Sequence, residues 1–233
     1  MAEDYGYTFA GDAFVVDIDG KQHLLVVDSD DDADSPREYE SDYSHMYCWH
    51  PRYRLGDKHD YYSPMDFLFE IADEYMNVDV IPEDTSLETL FNIVKKSDDI
   101  VLLPLYLYDH SGITMSTCDF GDRWDSGQVG WIWCTKKEFD ERTASTTNLS
   151  EWKRTAMEFL KSEVKDYSNY LEGNTYLYEL YELNANGETG EESIECCGGF
   201  LGDTYEYNGL LEDFDVVKRV TVSTITHKTL KVS

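Results

Sequence analysis

Between Tyr108 and Cys134 the chain reads YDHSGITMSTCDFGDRWDSGQVGWIWC, which gathers Asp109, His110, Ser111, Asp125 and Ser126 with two thiols. These are the residue types of nucleophilic catalysis: a hydroxyl or thiol, a base and an orienting acid. Their spacing argues against it. His110 and Ser111 are adjacent, and neighbours on extended backbone point to opposite faces. Neither Asp109-His110-Ser111-Gly112 nor Asp125-Ser126-Gly127 fits the Gly-x-Ser-x-Gly elbow. Turn chemistry accounts for both stretches, because Asp and Ser side chains bond to nearby backbone and Gly supplies a positive φ. The reading is two turns that shape a surface, with no catalytic residue.

A second cluster, HMYCWHPRYRLGDKH, holds His45, Cys48, His50 and His59. Cys-x-His on a strand would put both side chains on one face, but zinc takes four nitrogen or sulfur ligands. Cys118 or Cys196 would have to arrive from elsewhere, so no metal is expected. The run DSDDDADSPREYE has the Asp-x-Asp-x-Asp of a calcium loop. Counted from Asp28, the sixth and twelfth positions are Ala33 and Tyr39; counted from Asp30 they are Ser35 and Ser41. Both registers fail the Gly and Glu that the EF-hand requires. No cofactor motif is present: no glycine-rich phosphate loop and no repeat. In IECCGGFLG, Cys196 and Cys197 are a poor geometry for a mutual disulfide. The glycines there demand a bend or a close approach of the backbone.

The elements that must position these residues follow from periodicity. AFVVDIDGKQHLLVVDSD has two apolar runs around Asp19-Gly20, a hairpin signal. Ser63-Pro64 opens a helix carrying Met65, Leu68, Ile71, Ala72, Tyr75 and Met76 at helical spacing. Thr85 to Glu88 is a capping box for a short helix with Leu87, Leu90, Phe91 and Val94 on one face. Ile100–Tyr108 is strand-like, and Pro104 inside it demotes it to an edge strand or marks a bulge. The clearest helix spans residues 149–172, capped by Asn148 and ended by Gly173, with an apolar stripe through Trp152, Ala156, Phe159, Leu160, Val164, Tyr167, Tyr170 and Leu171. TYLYELYEL and the β-branched C-terminal run are strands. Mixed helices and strands without regular βαβ alternation predict an α+β fold. It is expected to be a single domain over 1–233, mostly antiparallel, with the long helix packed on the sheet and residues 28–44 an acidic loop or insert.

Composition bounds the partner. Of 233 residues, 48 are acidic and 19 basic, a formal charge of −29. Residues 1–99 carry −18 and residues 100–233 carry −11, so the charge is not one tail. With 41% hydrophobic and 14% aromatic residues a core can form, unlike in a disordered chain. Such a surface repels nucleic acid, and Arg52, Arg54 and Lys58 are too few to bind it and are expected to pair internally. The charge fits a halophilic host, a basic partner, or solubility alone. The N-terminal stretch MAEDYGYTFAGD is acidic where a signal peptide would be basic, no stretch reaches a membrane-spanning length, and five cysteines without a secretory signal imply free thiols in a reducing cytoplasm.

CWHPRYRLGD from Cys48, DHSG from Asp109, WDSGQVG from Trp124 and CGGFLG from Cys197 together resemble a family of uncharacterised proteins of phages and mobile elements. The resemblance implies a viral or plasmid setting, in the cytoplasm of a host cell, and no particular activity. With the charge, it leads to an expected non-enzymatic anti-defence inhibitor that offers carboxylates in place of phosphates to the basic groove of a host nuclease, such as a restriction or CRISPR complex. The contacts would be Asp28, Asp30, Asp31, Asp32, Asp34, Glu38, Glu40, Asp42, Asp119, Asp122 and Asp125. One alternative is a hydrolase or metal-assisted enzyme gathering Cys48, His50, Asp109, His110, Asp125 and Cys197. The other is an accessory phage protein without a catalytic role.

Overall fold

A computed structural model of the chain describes residues 11–38, 43–75, 81–82, 84–143, 148–226 and 229–232. It is α+β, and every strand pair among the described residues is antiparallel. By its internal contacts the chain groups into two compact units, Met1–Asp34 with Gly173–Ser233, and Ser35–Glu172. The acidic stretch 28–44 runs across the boundary between them.

The first unit is built on the hairpin of β1 (Asp12–Ile18) and β2 (Lys21–Ser29). Ile18 pairs with Lys21, so Asp19-Gly20 is a two-residue loop. Both residues have positive φ, 53° and 78°, the backbone that matches the twist of a tight hairpin. β7 (Thr175–Glu182), β8 (Glu195–Leu201) and β9 (Asp215–Val220) complete a sheet of order β8-β7-β2-β1-β9. Its central strands are apolar on both faces because both are covered. Phe14, Val16, Leu25 and Val27 pack with Tyr178, Leu180 and Leu210. On the other side Ala13, Leu24 and Val26 pack with Val220, Leu230 and Val232. β10 (Val222–Thr226) and β11 (Thr229–Val232) form a separate two-stranded ribbon.

Of the glycines of IECCGGFLG, Gly198 and Gly199 lie inside β8 and Gly202 directly follows it. Gly199 takes a φ of 81°, and the pairing of β7 with β8 slips between Tyr176 and Tyr178. Gly199 donates its N–H to Asp30 Oδ2 at 2.8 Å, and any side chain at Gly198 would collide with that carboxylate. Bend and close approach both occur, the bend at Gly199 and the approach against Asp30.

The second unit is a sheet of order β3-β6-β4-β5 with helices on both faces. Its strands are β3 (His45–Cys48), β4 (Ile100–Asp109), β5 (Ile113–Ser116) and β6 (Ser126–Thr135). α1 (Pro64–Tyr75) and α2 (Leu87–Val94) cover one face, where Phe67, Leu68, Ile71, Leu90 and Val94 meet Ile100, Leu102, Trp131 and Trp133. The short α3 (Lys136–Thr143) follows β6 directly. α4 (Leu149–Leu171) covers the opposite face with Trp152, Ala156, Leu160, Val164 and Tyr167, all at most 3% exposed. Burial of each such apolar side chain contributes about 1.5–3 kcal/mol. The expected caps are present: Asn148 accepts the Glu151 N–H at 3.1 Å, and Gly173 follows the helix with a φ of 76°.

Three expectations are corrected. β4 is an interior strand, not an edge strand. Pro104 is tolerated because β5 pairs only with Tyr106–Asp109, and the expected bulge falls next door, between Leu105 and Tyr106. α2 is capped by Ser86, whose side chain accepts from the Thr89 N–H, one residue later than the Thr85 box predicts. Phe159 is not in the buried seam of α4. It packs at the margin of that core, with the Arg142 guanidinium 4.0 Å above its ring.

Candidate functional site

The pairing of β3, β6 and β4 determines which loops meet. Cys48 pairs with Gly130 and Tyr108 with Ser126, so the segment after β3 and the two ends of the Tyr108–Gln128 region come together at one end of the sheet. They enclose an open cleft of about 450 Å³ lined by His50, Arg52, Asp109, Trp124, Asp125 and Gln128, among others. The stretches Cys48–Asp57, Asp109–Gly112 and Trp124–Gly130, distant in sequence, each contribute residues to it.

Each polar side chain is held by local backbone. His50 Nδ1 accepts from the Arg52 and Tyr53 N–H groups at 3.3 and 3.2 Å, which leaves its neutral-form proton on Nε2. Its ring stacks on Tyr53 at 5.0 Å and 12°. Asp109 accepts from Arg52 at 3.1 Å and from the Tyr53 hydroxyl at 3.2 Å. His110 Nδ1 lies 3.0 Å from Asp125 Oδ2. The β4–β5 turn is set by Ser111, whose φ of 61° occupies the left-handed position expected of Gly112.

The 117–125 loop is organised by its own acids. Asp119 accepts the Gly121 N–H, and Asp122 accepts those of Trp124 and Asp125. The two N–H donors hold the Asp122 carboxyl below its usual range. Trp124 is left 94% exposed at the rim.

The cleft thus unites His50, Asp109 and Asp125, with His110 on Asp125, as the enzyme alternative requires. It has no primed nucleophile among the described residues. The Ser126 hydroxyl is engaged by the Asp122 carbonyl at 2.5 Å. Cys48 is not in the lining, and burial pushes its thiol up to about 12, where the reactive thiolate is scarce. Cys197 belongs to the other unit, exposed on β8. His110 and Asp125 form a hydrogen-bonded dyad at the rim of the cleft.

The zinc cluster is dispersed. β3 ends at Cys48, so His50 does not share a strand face with it. His45 bonds Glu138 at 2.9 Å and His59 faces the Cys48 carbonyl at 3.1 Å. Among the described residues no group of three or more His, Cys, Asp or Glu could hold a metal ion. All five cysteines are free, and no helix among the described residues is long and apolar enough to cross a membrane.

The expected partner-contacting acids fall in both units. Asp28, Asp31, Asp32 and Asp34 are exposed at and beyond the end of β2. Asp30 is half-buried and committed to Gly199. Glu38 is exposed, 3.7 Å from Lys58. Asp119 is exposed, while Asp122 and Asp125 are partly covered by the turn contacts above. Glu40 and Asp42 lie outside the described residues. The anticipated pairing of the basic cluster holds for Arg52 and Lys58; Arg54 has no acid partner among the described residues. Composition singled out Trp124, the most exposed cleft residue, only as a motif letter. No family model, curated protein or solved structure matches the chain.

Proposed function

We propose that the chain is a non-catalytic acidic protein that occupies the basic, nucleic-acid-binding groove of a partner in the cytoplasm of a host cell. The phage and mobile-element resemblance points to a defence nuclease, of the restriction or CRISPR kind, as that partner. One observation carries the reading: each compact unit is strongly acidic in its own right. The first holds 21 acidic and 5 basic side chains, the second 27 and 14. A charge built into two folded bodies presents fixed carboxylates to a groove shaped for phosphates, and steers association at long range. The exposed Tyr62, Trp124 and Tyr207, each above 90% exposed, supply the aromatic contacts that concentrate binding energy.

The experiment is capture of bacterial lysate proteins on the immobilised chain, with elution by salt steps and, separately, by duplex DNA. The reading expects a captured nucleic-acid-binding protein that DNA displaces, with affinity falling as salt screens charges beyond ~8 Å. Replacing Asp28, Asp31, Asp32 and Asp34 by Asn should slow association more than it speeds dissociation. Asp30 is spared because β8 depends on it.

A second reading, a hydrolytic enzyme, is favoured by the convergence of His50, Asp109 and Asp125 with the His110 dyad. The variant His110→Ala separates the two. Inhibition survives it in the binding reading, whereas loss of function in a folded variant, or salt-independent capture that DNA does not displace, favours the enzyme.

A further inference from the structure

The second unit has a larger cavity of about 990 Å³, which shares Trp49, His50 and Arg52 with the cleft. We infer that this cavity is a binding site for a small planar anion, an aromatic or heterocyclic ring bearing a phosphate or carboxylate. Its lining is unusual for this chain. Tyr53, Tyr167 and Tyr170 provide rings, and of the three bases Arg54 provides charge that no acid among the described residues matches, Arg52 being paired with Asp109 and Lys58 with Glu38. A cavity near 1,000 Å³ is of small-molecule size, and its walls here are both polar and apolar.

The polar groups are donors with few acceptors to match. Two carboxylates also line the cavity, but Asp57 is taken by Arg37 at 3.2 Å and by the Met46 N–H at 2.6 Å. Glu38 sits beside Lys58 on the exposed side. Arg54 has no acid partner among the described residues, in a protein with more than twice as many acids as bases. The Tyr167 residue is 3% exposed; its oxygen accepts the Gly56 N–H at 2.9 Å, and its own proton has no acceptor among the described residues. The Nε2–H of neutral His50 is likewise unclaimed, because both backbone donors reach Nδ1. Guanidinium groups recognise phosphate and carboxylate with paired donors.

The walls select a flat ligand. Tyr167 and Tyr170 stack at 6.2 Å and 20°. Tyr53 carries the His50 ring on one side and lies 4.9 Å from the Arg52 guanidinium. A ring can lie against the half-buried Tyr170 while its anionic group meets Arg54 and the Tyr167 hydroxyl at the cavity wall. The acidic exterior repels anions in general, so selectivity rests with this local reversal of sign.

The test uses the purified full chain and three probes in titration calorimetry: phenyl phosphate, inorganic phosphate and benzyl alcohol. Saturable one-site binding of phenyl phosphate, tighter than either fragment, is expected. Arg54→Gln, an exposed substitution that leaves the fold intact, should weaken it about tenfold or more, the value of one charge-assisted hydrogen bond. Arg54→Lys should recover part of the loss. Tyr167→Phe should weaken binding further, with its unfolding midpoint measured in parallel to separate binding from folding. Absence of phenyl phosphate binding at millimolar concentration, or binding unchanged by Arg54→Gln, overturns the site. No partner protein enters this test, so its failure leaves the charge-based reading of function untouched.

Discussion

Asp57→Asn isolates the charge of one carboxylate, because Asn keeps an oxygen for the Met46 N–H that Asp57 accepts at 2.6 Å. What it removes is half of a buried ion pair. The Arg37 side chain is 3% exposed and that of Asp57 6%, with Nε 3.2 Å from Oδ1. Arg37 keeps Glu163 at 3.2 Å and the Ser44 hydroxyl at 3.3 Å. Removing one partner of a buried pair costs about 3–5 kcal/mol; the surviving Glu163 contact, and burial that raises the Asp57 carboxyl despite Arg37, place this case at or below about 3. Arg37→Met should cost a similar amount, since it strands Asp57. The double variant should lose clearly less than the sum, by at least ~1.5 kcal/mol, because no lone charge is left buried. All five tryptophans, Trp49, Trp124, Trp131, Trp133 and Trp152, lie in the second unit, so tryptophan fluorescence during urea unfolding reads that unit alone. At a slope of about 2 kcal/mol/M the single substitutions move the midpoint by up to about 1.5 M. Additive effects, or a shift below about 0.3 M for Asp57→Asn, would refute the argument that this buried pair stabilises the second unit.

The same fluorescence assay ranks the seam of α4: Leu160→Ala should cost about 3–4 kcal/mol and Phe159→Ala clearly less, because only Leu160 is fully enclosed. Gly130→Ala should cost at least ~2 kcal/mol, since its Cβ would run into the Tyr47 carbonyl, while Gly127→Ala, with open space around it, stays within about 0.5 kcal/mol. Burial raises the Glu138 carboxyl, but His45 and the Thr135 N–H and hydroxyl outweigh it and hold the group below its ordinary value of 4.5. A depressed folded pKa contributes stability that is present above 4.5 and lost as pH falls through the folded value. Glu138→Gln should therefore flatten the acid limb of stability against pH in that window; an unchanged acid limb would refute it.

The fold was legible where local chemistry decides. Asp19-Gly20, Ser63-Pro64 and the Asn148 cap each name their element, and α4 follows from its apolar period. α3 escaped because only Phe139 is buried on a polar helix. Thr135-x-x-Glu138 was the available signal: Glu138 accepts the Thr135 N–H at 2.7 Å, and Thr135 accepts the Glu138 N–H at 3.2 Å. The cleft was less legible, for its residues meet only through the pairing of Cys48 with Gly130, which no local pattern states. Of the expected acid contacts, Asp28, Asp30, Asp119 and Asp122 proved to be backbone-bonding groups, a role that charge counting does not distinguish from a free carboxylate.

The nested order of the two units has a consequence for biosynthesis. β1 and β2 leave the ribosome before the second unit, but their neighbours β9 and β7 are encoded after the whole of it. At ~5–20 residues per second, the 138 residues from Ser35 to Glu172 take roughly 7–28 s to make. Throughout that wait the hairpin has two apolar faces and two unpaired edges, the state most open to misassociation. The second unit has all its strands by then and can fold cotranslationally. The Asp30 N–H bond to the Thr175 carbonyl at 2.8 Å then ties the two segments of the first unit across the long intervening stretch. Nascent chains of this protein should therefore depend on a holding chaperone for the N-terminal hairpin until Thr175 and its strand leave the exit tunnel.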